Sequence, residues 1–307
     1  MLTAVIIVVG LIVFEVVNSV DNAIVNAHVL QGMSERMRRW FLVWGMLIAV
    51  FLIRGILPFL IVYLTIPGVP LGDMFESFLG RNDLAKNAIE ESAYILLMGG
   101  GMFLLLLYFH WLFLEKKEPY FVTDKFVKEK HGVWFFAIAA LLLVLLLWLS
   151  RDRPLAMLAA ATGNAVFFIL YGFRQLAEKE EKEIEKSGSD LSKLMFLELL
   201  DASFSIDGVL GSFAFTVNIL LILIGNGIGA IVVRQLTIYG VERVAKYRWL
   251  KNGAMTSIGI LGIVMILESF DVHIPEYMPT LVTIAIVGTA FYSSHQHLKN
   301  VENGNTT

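Results

Sequence analysis

Long apolar runs alternate with short polar links along the whole 307-residue chain. A run of about 20 mostly apolar residues is enough to cross the hydrocarbon core of a bilayer as a helix. The pattern therefore predicts an all-α membrane protein with about nine transmembrane helices. The predicted segments are 2–28, 40–65, 91–114, 133–149, 154–176, 194–215, 217–239, 252–269 and 279–295.

Basic residues between these segments predict the orientation, because cytoplasmic loops of membrane proteins carry the excess of Lys and Arg. Most of the basic residues fall in the C-terminal tail and in the links 31–40, 115–131, 172–193 and 240–252. The alternate links hold only Arg81, Lys86, Arg151 and Arg153. The bias predicts a multi-pass protein of the inner (plasma) membrane, with the N-terminus outside and the C-terminus in the cytoplasm.

Composition agrees with this class and excludes others. Hydrophobic residues make up 57% of the chain, against about 45–50% in a typical soluble domain, and the mean hydropathy is +0.72. The formal net charge of −3 gives no reason to expect a nucleic-acid partner, so the expected partner is the lipid bilayer. The absence of cysteine excludes disulfides and zinc–thiolate sites. The N-terminal segment lacks a basic start and a small-residue cleavage site, which predicts a retained span.

The first segment contains an unusual polar stretch at residues 14–25, FEVVNSVDNAIV. It places two carboxylates, Glu15 and Asp21, and two amides, Asn18 and Asn22, where hydrocarbon is expected. An acidic side chain at the bilayer centre costs on the order of 2.5–3.5 kcal/mol on insertion scales. Such residues are retained mainly for function, so the stretch is a candidate site.

A second copy of this stretch occurs at residues 197–210, LELLDASFSIDGVL. Its polar positions are Glu198, Asp201, Ser205 and Asp207. The next segments also correspond, since GMLIAVFLIR and GNGIGAIVVR both place a glycine nine positions before an arginine, Arg54 or Arg234. LAKNA at 84–88 and WLKNG at 249–253 then open corresponding spans.

The second copy lies in the sixth segment, five segments after the first copy, so the two copies must cross the membrane in opposite directions. Inverted repeats of this kind build many secondary transporters, whose sites lie at mid-membrane where the repeats meet. The predicted organisation is repeat one at 1–114, two inserted helices and a charged cytoplasmic link at 115–193, repeat two at 194–269, and a last helix with a cytoplasmic tail at 270–307.

Helix geometry leaves two alternatives for the second copy: either Asp207 faces elsewhere, or the helix is broken between Ser203 and Gly208, and the break is the expectation. At about 100° per residue, Glu198, Asp201 and Ser205 share one face, whereas Asp207 points nearly opposite to Glu198. The residues between Ser203 and Gly208, SFSIDG, have the composition of a helix interruption. Broken helices recur at transporter ion sites because the freed carbonyl groups serve as ligands.

The acidic side chains predict a cation as the transported substrate. Five carboxylates lie inside the predicted spans, and Arg54 and Arg234 are the two arginines assigned there as charge partners. Carboxylate, amide and hydroxyl oxygens are hard ligands that suit Mn²⁺, Mg²⁺ or Ca²⁺ better than Cu⁺ or Zn²⁺. A proton counterflow is expected, because such ligands release protons when a metal binds. The predicted metal ligands are Glu15, Asn18, Asp21, Asn22, Glu198, Asp201, Ser205 and Asp207.

The two motifs resemble the paired acidic signatures of the TerC-like integral membrane proteins, which belong to the wider superfamily of LysE-type exporters. The residues that match the first signature are Glu15, Ser19, Asp21 and Asn22, and those that match the second are Glu198, Asp201, Phe204, Ser205 and Asp207. The glycines of LLMGGGMFLL are similar to the third span of that family. Gly208 departs from the pattern, where many members have Ser. The resemblance implies manganese efflux, or divalent-metal supply to exported enzymes.

Two other functions compete with metal export. A LysE-like exporter of amino acids or small organic solutes would need a pocket with both signs of charge, and Arg54 and Arg234 could supply the positive side. An intramembrane aspartyl protease would use two aspartates that share a proton, but SIDG lacks the Gly-x-Gly-Asp arrangement that such proteases resemble. We therefore expect a transporter and no enzyme.

Overall fold

The computed structural model describes residues 2–45, 48, 54–65, 70–78, 87, 89–127, 132–239 and 246–302. Within this part of the chain every regular element is a helix, as the apolar pattern predicts. The α-helices are α1 Leu2–Asn18, α2 Val20–Gln31, α3 Glu35–Trp40, α4 Arg54–Thr65, α5 Leu71–Phe78, α6 Ala93–Leu114, α7 Val122–Phe126, α8 Val133–Leu149, α9 Pro154–Ser187, α10 Asp190–Ser212, α11 Ile219–Tyr239, α12 Leu250–Ser269 and α13 Met278–Glu302.

Four of the described stretches are long and apolar enough to cross a membrane: Ala93–Leu114, Pro154–Ala177, Ile219–Thr237 and Leu250–Ser269. Three shorter helical stretches are also apolar: Leu2–Asn18, Gly55–Leu64 and Val133–Leu149. The helical membrane class is therefore confirmed, while the count of nine spans stays a prediction.

Helix α6 is the centre of the helix bundle, and its three consecutive glycines allow neighbours to approach on two sides. On one side, a Cβ atom added at Gly163 of α9 would overlap the backbone of Gly99. On another side, a Cβ at Gly101 would lie 3.0 Å from the carbonyl oxygen of Gly262 in α12. Small residues of this kind allow close packing in membranes, where apolar burial drives helix association little.

Helix α8 lies at the edge of the bundle and packs against α6 and α9. Its large side chains are mostly exposed, as for Val133 at 84% and Leu141 at 68%. An exposed surface this apolar would be unfavourable in water but suits contact with lipid. The packing agrees with the prediction that this segment lies in the bilayer.

The predicted break in the second acidic motif is wrong, because α10 is a regular helix from Asp190 to Ser212. The hydroxyls of Ser205 and Ser212 instead donate to carbonyl oxygens four residues earlier, at 2.7 Å and 2.6 Å, without interrupting the helix. The first motif carries the irregularity, since Ser19 has φ −95° and ψ 4° and separates α1 from α2. Backbone hydrogen bonds continue on both sides of Ser19, so the chain bends there without opening.

The C-terminal end of α2 and the N-terminal end of α10 are linked by hydrogen bonds, which set the position of one motif against the other. Lys193 is buried and donates from Nζ to the carbonyl oxygen of Gly32 at 2.8 Å. Asp190 accepts a hydrogen bond from the backbone N–H of Ser34. These contacts satisfy backbone groups that are left without helical partners after α2 ends.

Candidate functional site

The two acidic motifs meet at Asp201, which is 8% exposed on α10. Its Oδ1 atom accepts hydrogen bonds from the amides of Asn22 and Asn26, the latter at 3.0 Å. Both asparagines are buried on α2, one helical turn apart, so they face α10 together. A buried carboxylate held by two amide groups is therefore shared between the first and second motifs.

Glu198 lies one turn before Asp201 on the same face of α10. Neither of its carboxylate oxygens, both inaccessible to solvent, has a hydrogen-bond partner among the described residues. Gly45 faces this carboxylate, and a Cβ atom added there would overlap Oε1 of Glu198. The approach occurs in a π-helical turn, Phe41–Gly45, a local geometry that is frequent at functional sites.

Arg234 of α11 supplies the positive charge beside this pair of acids. It interacts electrostatically with Asp201 and Glu198. Its guanidinium donates to the carbonyl oxygen of Phe41 and lies over the Phe41 ring at 5.2 Å. Arg234 thus faces the acidic cluster without forming a salt bridge to any of its described members.

Glu15 lies elsewhere along the same interface. It is 1% exposed and accepts a hydrogen bond from the hydroxyl of Ser19 at 2.7 Å. Its Oε2 atom would lie 2.7 Å from a Cβ atom at Gly208, and its Cβ and Cγ atoms pack on Gly229. Gly208 is seven residues beyond Asp201, about 10 Å along the helix, so Glu15 and Asp201 form separate polar contacts. A side chain at Gly208 would meet this carboxylate, which gives a steric reason for glycine at a position where the TerC-like signature that the motif resembles often has Ser.

Asp207 faces away from the Asp201 cluster, as a regular helix requires. Its Oδ2 atom forms a 2.8 Å salt bridge with Arg174 of α9, which also donates to the carbonyl oxygen of Ser203 at 2.9 Å. The guanidinium of Arg174 lies over the Phe204 ring at 4.6 Å. The assignment of Arg174 to a cytoplasmic link, and of counter-charge to Arg54 and Arg234 alone, was therefore wrong. The residue lies inside the candidate span Pro154–Ala177.

A cavity of about 670 Å³ lies between α2, α6, α9 and α10. Most of its walls are apolar or aromatic, and the ionisable residues among those that line it are Arg174, His110, Glu115, Lys251 and Tyr171. Glu115 lies 2.6 Å from the Lys251 ammonium and 3.6 Å from the His110 ring. Burial alone would raise the pKa of Glu115, but the His110 hydrogen bond and the Lys251 charge outweigh it and lower the pKa from 4.5 to about 2.

The structure thus brings together only part of the predicted ligand set. Asn22, Glu198 and Asp201 are close to one another, Ser205 donates from its hydroxyl to the Asp201 carbonyl oxygen at 2.7 Å, and Glu15 and Asp207 lie apart. Asn18 ends α1, with its amide nitrogen 4.0 Å from a Cβ atom at Gly208. The side chains of Asp21 and Arg54 lie outside the described residues. Among the described side chains, no group of three or more His, Asp or Glu is arranged to hold a metal ion.

Two residues of the site were missed in the sequence. Asn26 follows Asn22 by four positions and therefore shares its helix face, a spacing that could have identified it. Arg174 falls within the apolar segment 154–176, so the length of that segment already argued against placing it in a link. Both side chains are the partners of predicted acids, Asp201 and Asp207.

Comparisons with known proteins agree with the membrane class. A family model described as "Protein of unknown function (DUF475)" matches residues 20–301. The uncharacterized membrane protein YceF of Bacillus subtilis (strain 168) is 26% identical over 119 residues, which cover 36% of this chain and 46% of that protein. No solved structure matches the chain. Because the family model covers most of the chain, the protein belongs to the DUF475 family and is a membrane protein.

Proposed function

We propose that the protein is a secondary transporter that exports a divalent metal cation, with Mn²⁺ favoured and Ca²⁺ and Mg²⁺ as alternatives. The observation that carries the proposal is the buried cluster of Asp201, Asn22 and Asn26, with Glu198 one turn away. This cluster joins the two acidic motifs at one place in the bundle. It is the substrate site in our proposal.

Unsatisfied oxygen atoms in the cluster support a cation as its ligand. Oδ1 of Asn22 and Oδ1 of Asn26 are buried without hydrogen-bond partners in the described part of the chain, as are both oxygens of Glu198. Leaving such an atom buried and unpaired typically costs about 1–3 kcal/mol. A hard cation would satisfy several of these oxygens at once, since amide and carboxylate oxygens are its usual ligands.

The position of Arg234 favours a transport cycle, in which the cation binds and leaves, over permanent binding of the cation. Its guanidinium lies near Asp201 and Glu198 but donates to a backbone carbonyl. It can therefore balance the acidic charge when the cluster is empty and leave the carboxylate oxygens to a cation when the cluster is loaded. Arg54, its counterpart in the first repeat, has the same proposed role.

The composition of the cluster favours an ion that accepts few carboxylates. Asp201 and Glu198 are its described acids, and the other donors are neutral amides, with Asp21 as the further predicted ligand. Mg²⁺ commonly binds through one or two carboxylates and keeps several waters, and Mn²⁺ accepts the same oxygen ligands. The TerC-like resemblance of the motifs supports Mn²⁺ among these ions.

Export of an amino acid or another small organic solute is the second candidate. The observation that favours it is the 670 Å³ cavity, whose walls carry Arg174 and Lys251 as well as Glu115. Its volume is within the range of small-molecule sites. Against it, these three charges are already paired with one another or with Asp207.

The test is the metal content of cells that lack the protein and then express it or a variant under Mn²⁺ stress, measured by mass spectrometry. Expression should lower cellular manganese, and Asp201→Asn should abolish the effect at equal protein level in the membrane. Asn26→Ala should weaken it, whereas the exposed Asp152→Asn should act like the parent protein. Normal export by Asp201→Asn would exclude Asp201 as a ligand, and amino-acid loss without manganese loss would favour the second candidate.

A further inference from the structure

The cavity between α2, α6, α9 and α10 shares two helices with the Asp201 cluster. Ile24 and Val25, which line it, lie between Asn22 and Asn26 on α2. Leu200, which also lines it, is the residue before Asp201 on α10. The cavity and the cluster therefore lie at the same level along α2 and α10, on different faces of these helices.

The polar residues of this cavity differ in exposure. The Lys251 and Glu115 side chains are 39% and 33% exposed, Arg174 is 18% exposed and its partner Asp207 is 6% exposed. Gln175, next to Arg174 on α9, is also exposed and lines the cavity. The cavity is thus open to solvent at Glu115, Lys251 and Gln175, and the Arg174–Asp207 salt bridge is buried beside it.

The open end faces the cytoplasm if the charge bias of the links sets the orientation. Glu115 directly follows α6, and Lys251 is the second residue of α12. These positions adjoin the basic links 115–131 and 240–252, which are predicted to be cytoplasmic. A substrate that leaves the cell by export must enter from this side.

We propose that this cavity is the water-filled cytoplasmic entrance of the transporter and that the buried Arg174–Asp207 salt bridge holds α9 against α10 in its closed state. The proposal rests on the proposed metal-export function. The cavity is many times larger than the volume needed for one water, and its polar groups provide partners for ordered water. A divalent cation could therefore enter with part of its hydration shell and exchange waters for the oxygens of the Asp201 cluster. The inserted helix α9 becomes part of the transport path, because it supplies Arg174.

Closure by this salt bridge follows from its geometry. Arg174 is held by Asp207, by the Ser203 carbonyl oxygen and by the Phe204 ring, so its guanidinium bridges α9 and α10. Among the described side chains, the other titratable groups near this salt bridge are those of His110 from α6 and of Glu15 from α1, which lies against Gly208. Separation of α9 from α10 would break the bridge and open the cavity inward.

The absence of cysteine from the chain allows a direct test by cysteine labelling. Gln175→Cys and Leu200→Cys place thiols on the cavity wall, and Leu176→Cys and Leu199→Cys place them on neighbouring outer surfaces, at positions 59% and 52% exposed. A membrane-impermeant cationic methanethiosulfonate reagent is added to inside-out vesicles and, separately, to intact spheroplasts. Thiols in water ionise and react, whereas thiols in lipid do not.

We expect the two cavity positions to react at least tenfold faster than their neighbours, and only in inside-out vesicles. Mn²⁺ should slow the reaction at Leu200→Cys, and Arg174→Gln should speed it. Equal labelling rates at Leu199→Cys and Leu200→Cys, or labelling only in intact spheroplasts, would refute the proposal that the cavity is a cytoplasmic entrance. If Mn²⁺ does not change the labelling rate, the cavity is not the route by which the metal enters. Each of these results is separate from the export assay, in which Asp201→Asn tests the proposed function.

Discussion

Removal of the charge from one partner of the Arg174–Asp207 salt bridge should strongly destabilise the folded protein. The side chains are 18% and 6% exposed, so Arg174→Gln leaves the carboxylate of Asp207 buried without its partner. Breaking a buried pair in this way typically costs about 3–5 kcal/mol. The loss of stability is limited to about 4 kcal/mol, because at that cost a carboxyl of ordinary pKa takes up a proton at pH 7 and is no longer charged.

A double-mutant cycle isolates the pair. Asp207→Asn should also destabilise the protein, since it leaves the Arg174 charge without a carboxylate. The double variant Arg174→Gln with Asp207→Asn should be more stable than the sum of the single losses predicts, by about 1–3 kcal/mol. Arg153→Gln is the matched control, because its pair with Asp271 is 41% and 72% exposed and such pairs contribute less than about 1 kcal/mol.

The measurement is the free energy of unfolding in mixed micelles, followed by tryptophan fluorescence as the fraction of denaturing detergent rises. A loss in Arg174→Gln no larger than that in Arg153→Gln would show that the buried salt bridge does not stabilise the folded state. Strictly additive losses in the cycle would show that the two side chains do not interact. Either result would refute the position assigned to Arg174.

Two further predictions concern single positions. Gly208→Ser should lower the free energy of unfolding by about 1–3 kcal/mol, because the new side chain meets Glu15. The matched control is Gly72→Ser, where a Cβ atom meets nothing within 4 Å. Equal thermal unfolding midpoints for the two variants would contradict the contact between Gly208 and Glu15. Glu115 has a lowered pKa in the folded protein, about 2 against 4.5, so its ionised form contributes stability above about pH 4.5 that is lost as the pH falls toward 2. The stability difference between the parent and Glu115→Gln should therefore shrink over that range, and a difference independent of pH would exclude the ionised pair.

Helix content and helix ends could largely be predicted from the sequence, because a bilayer requires each spanning segment to satisfy its own backbone hydrogen bonds. The segment predicted at 133–149 coincides with α8, and 217–239 overlaps all of α11. The apolar segment predicted at 154–176 agrees with the candidate span Pro154–Ala177, and α9 itself continues to Ser187 through a charged stretch. Charged side chains end the contact with lipid but do not end a helix.

The intramembrane acids could also be identified from the sequence, because a carboxylate in an apolar run stands out by its desolvation cost alone. Which of these acids lie together in space could not be predicted from the sequence. Glu198 and Asp201 share a face of α10, but only the packing of α2 brings Asn22 and Asn26 to that face. Asp207 was expected to join them through a helix break, and the regular α10 turns it toward Arg174 instead.

The sequence by itself determined that this is a helical membrane protein with two related acidic motifs, since apolar length, charge bias and residue spacing are local properties of the chain. The tertiary structure decided which acids are neighbours and which cation balances each one. Those pairings depend on how helices far apart in the chain pack, as Asn22 and Asp201 show at a separation of 179 residues. Desolvation makes each buried charge need a partner, but only the packing of α9 on α10 selects the partner.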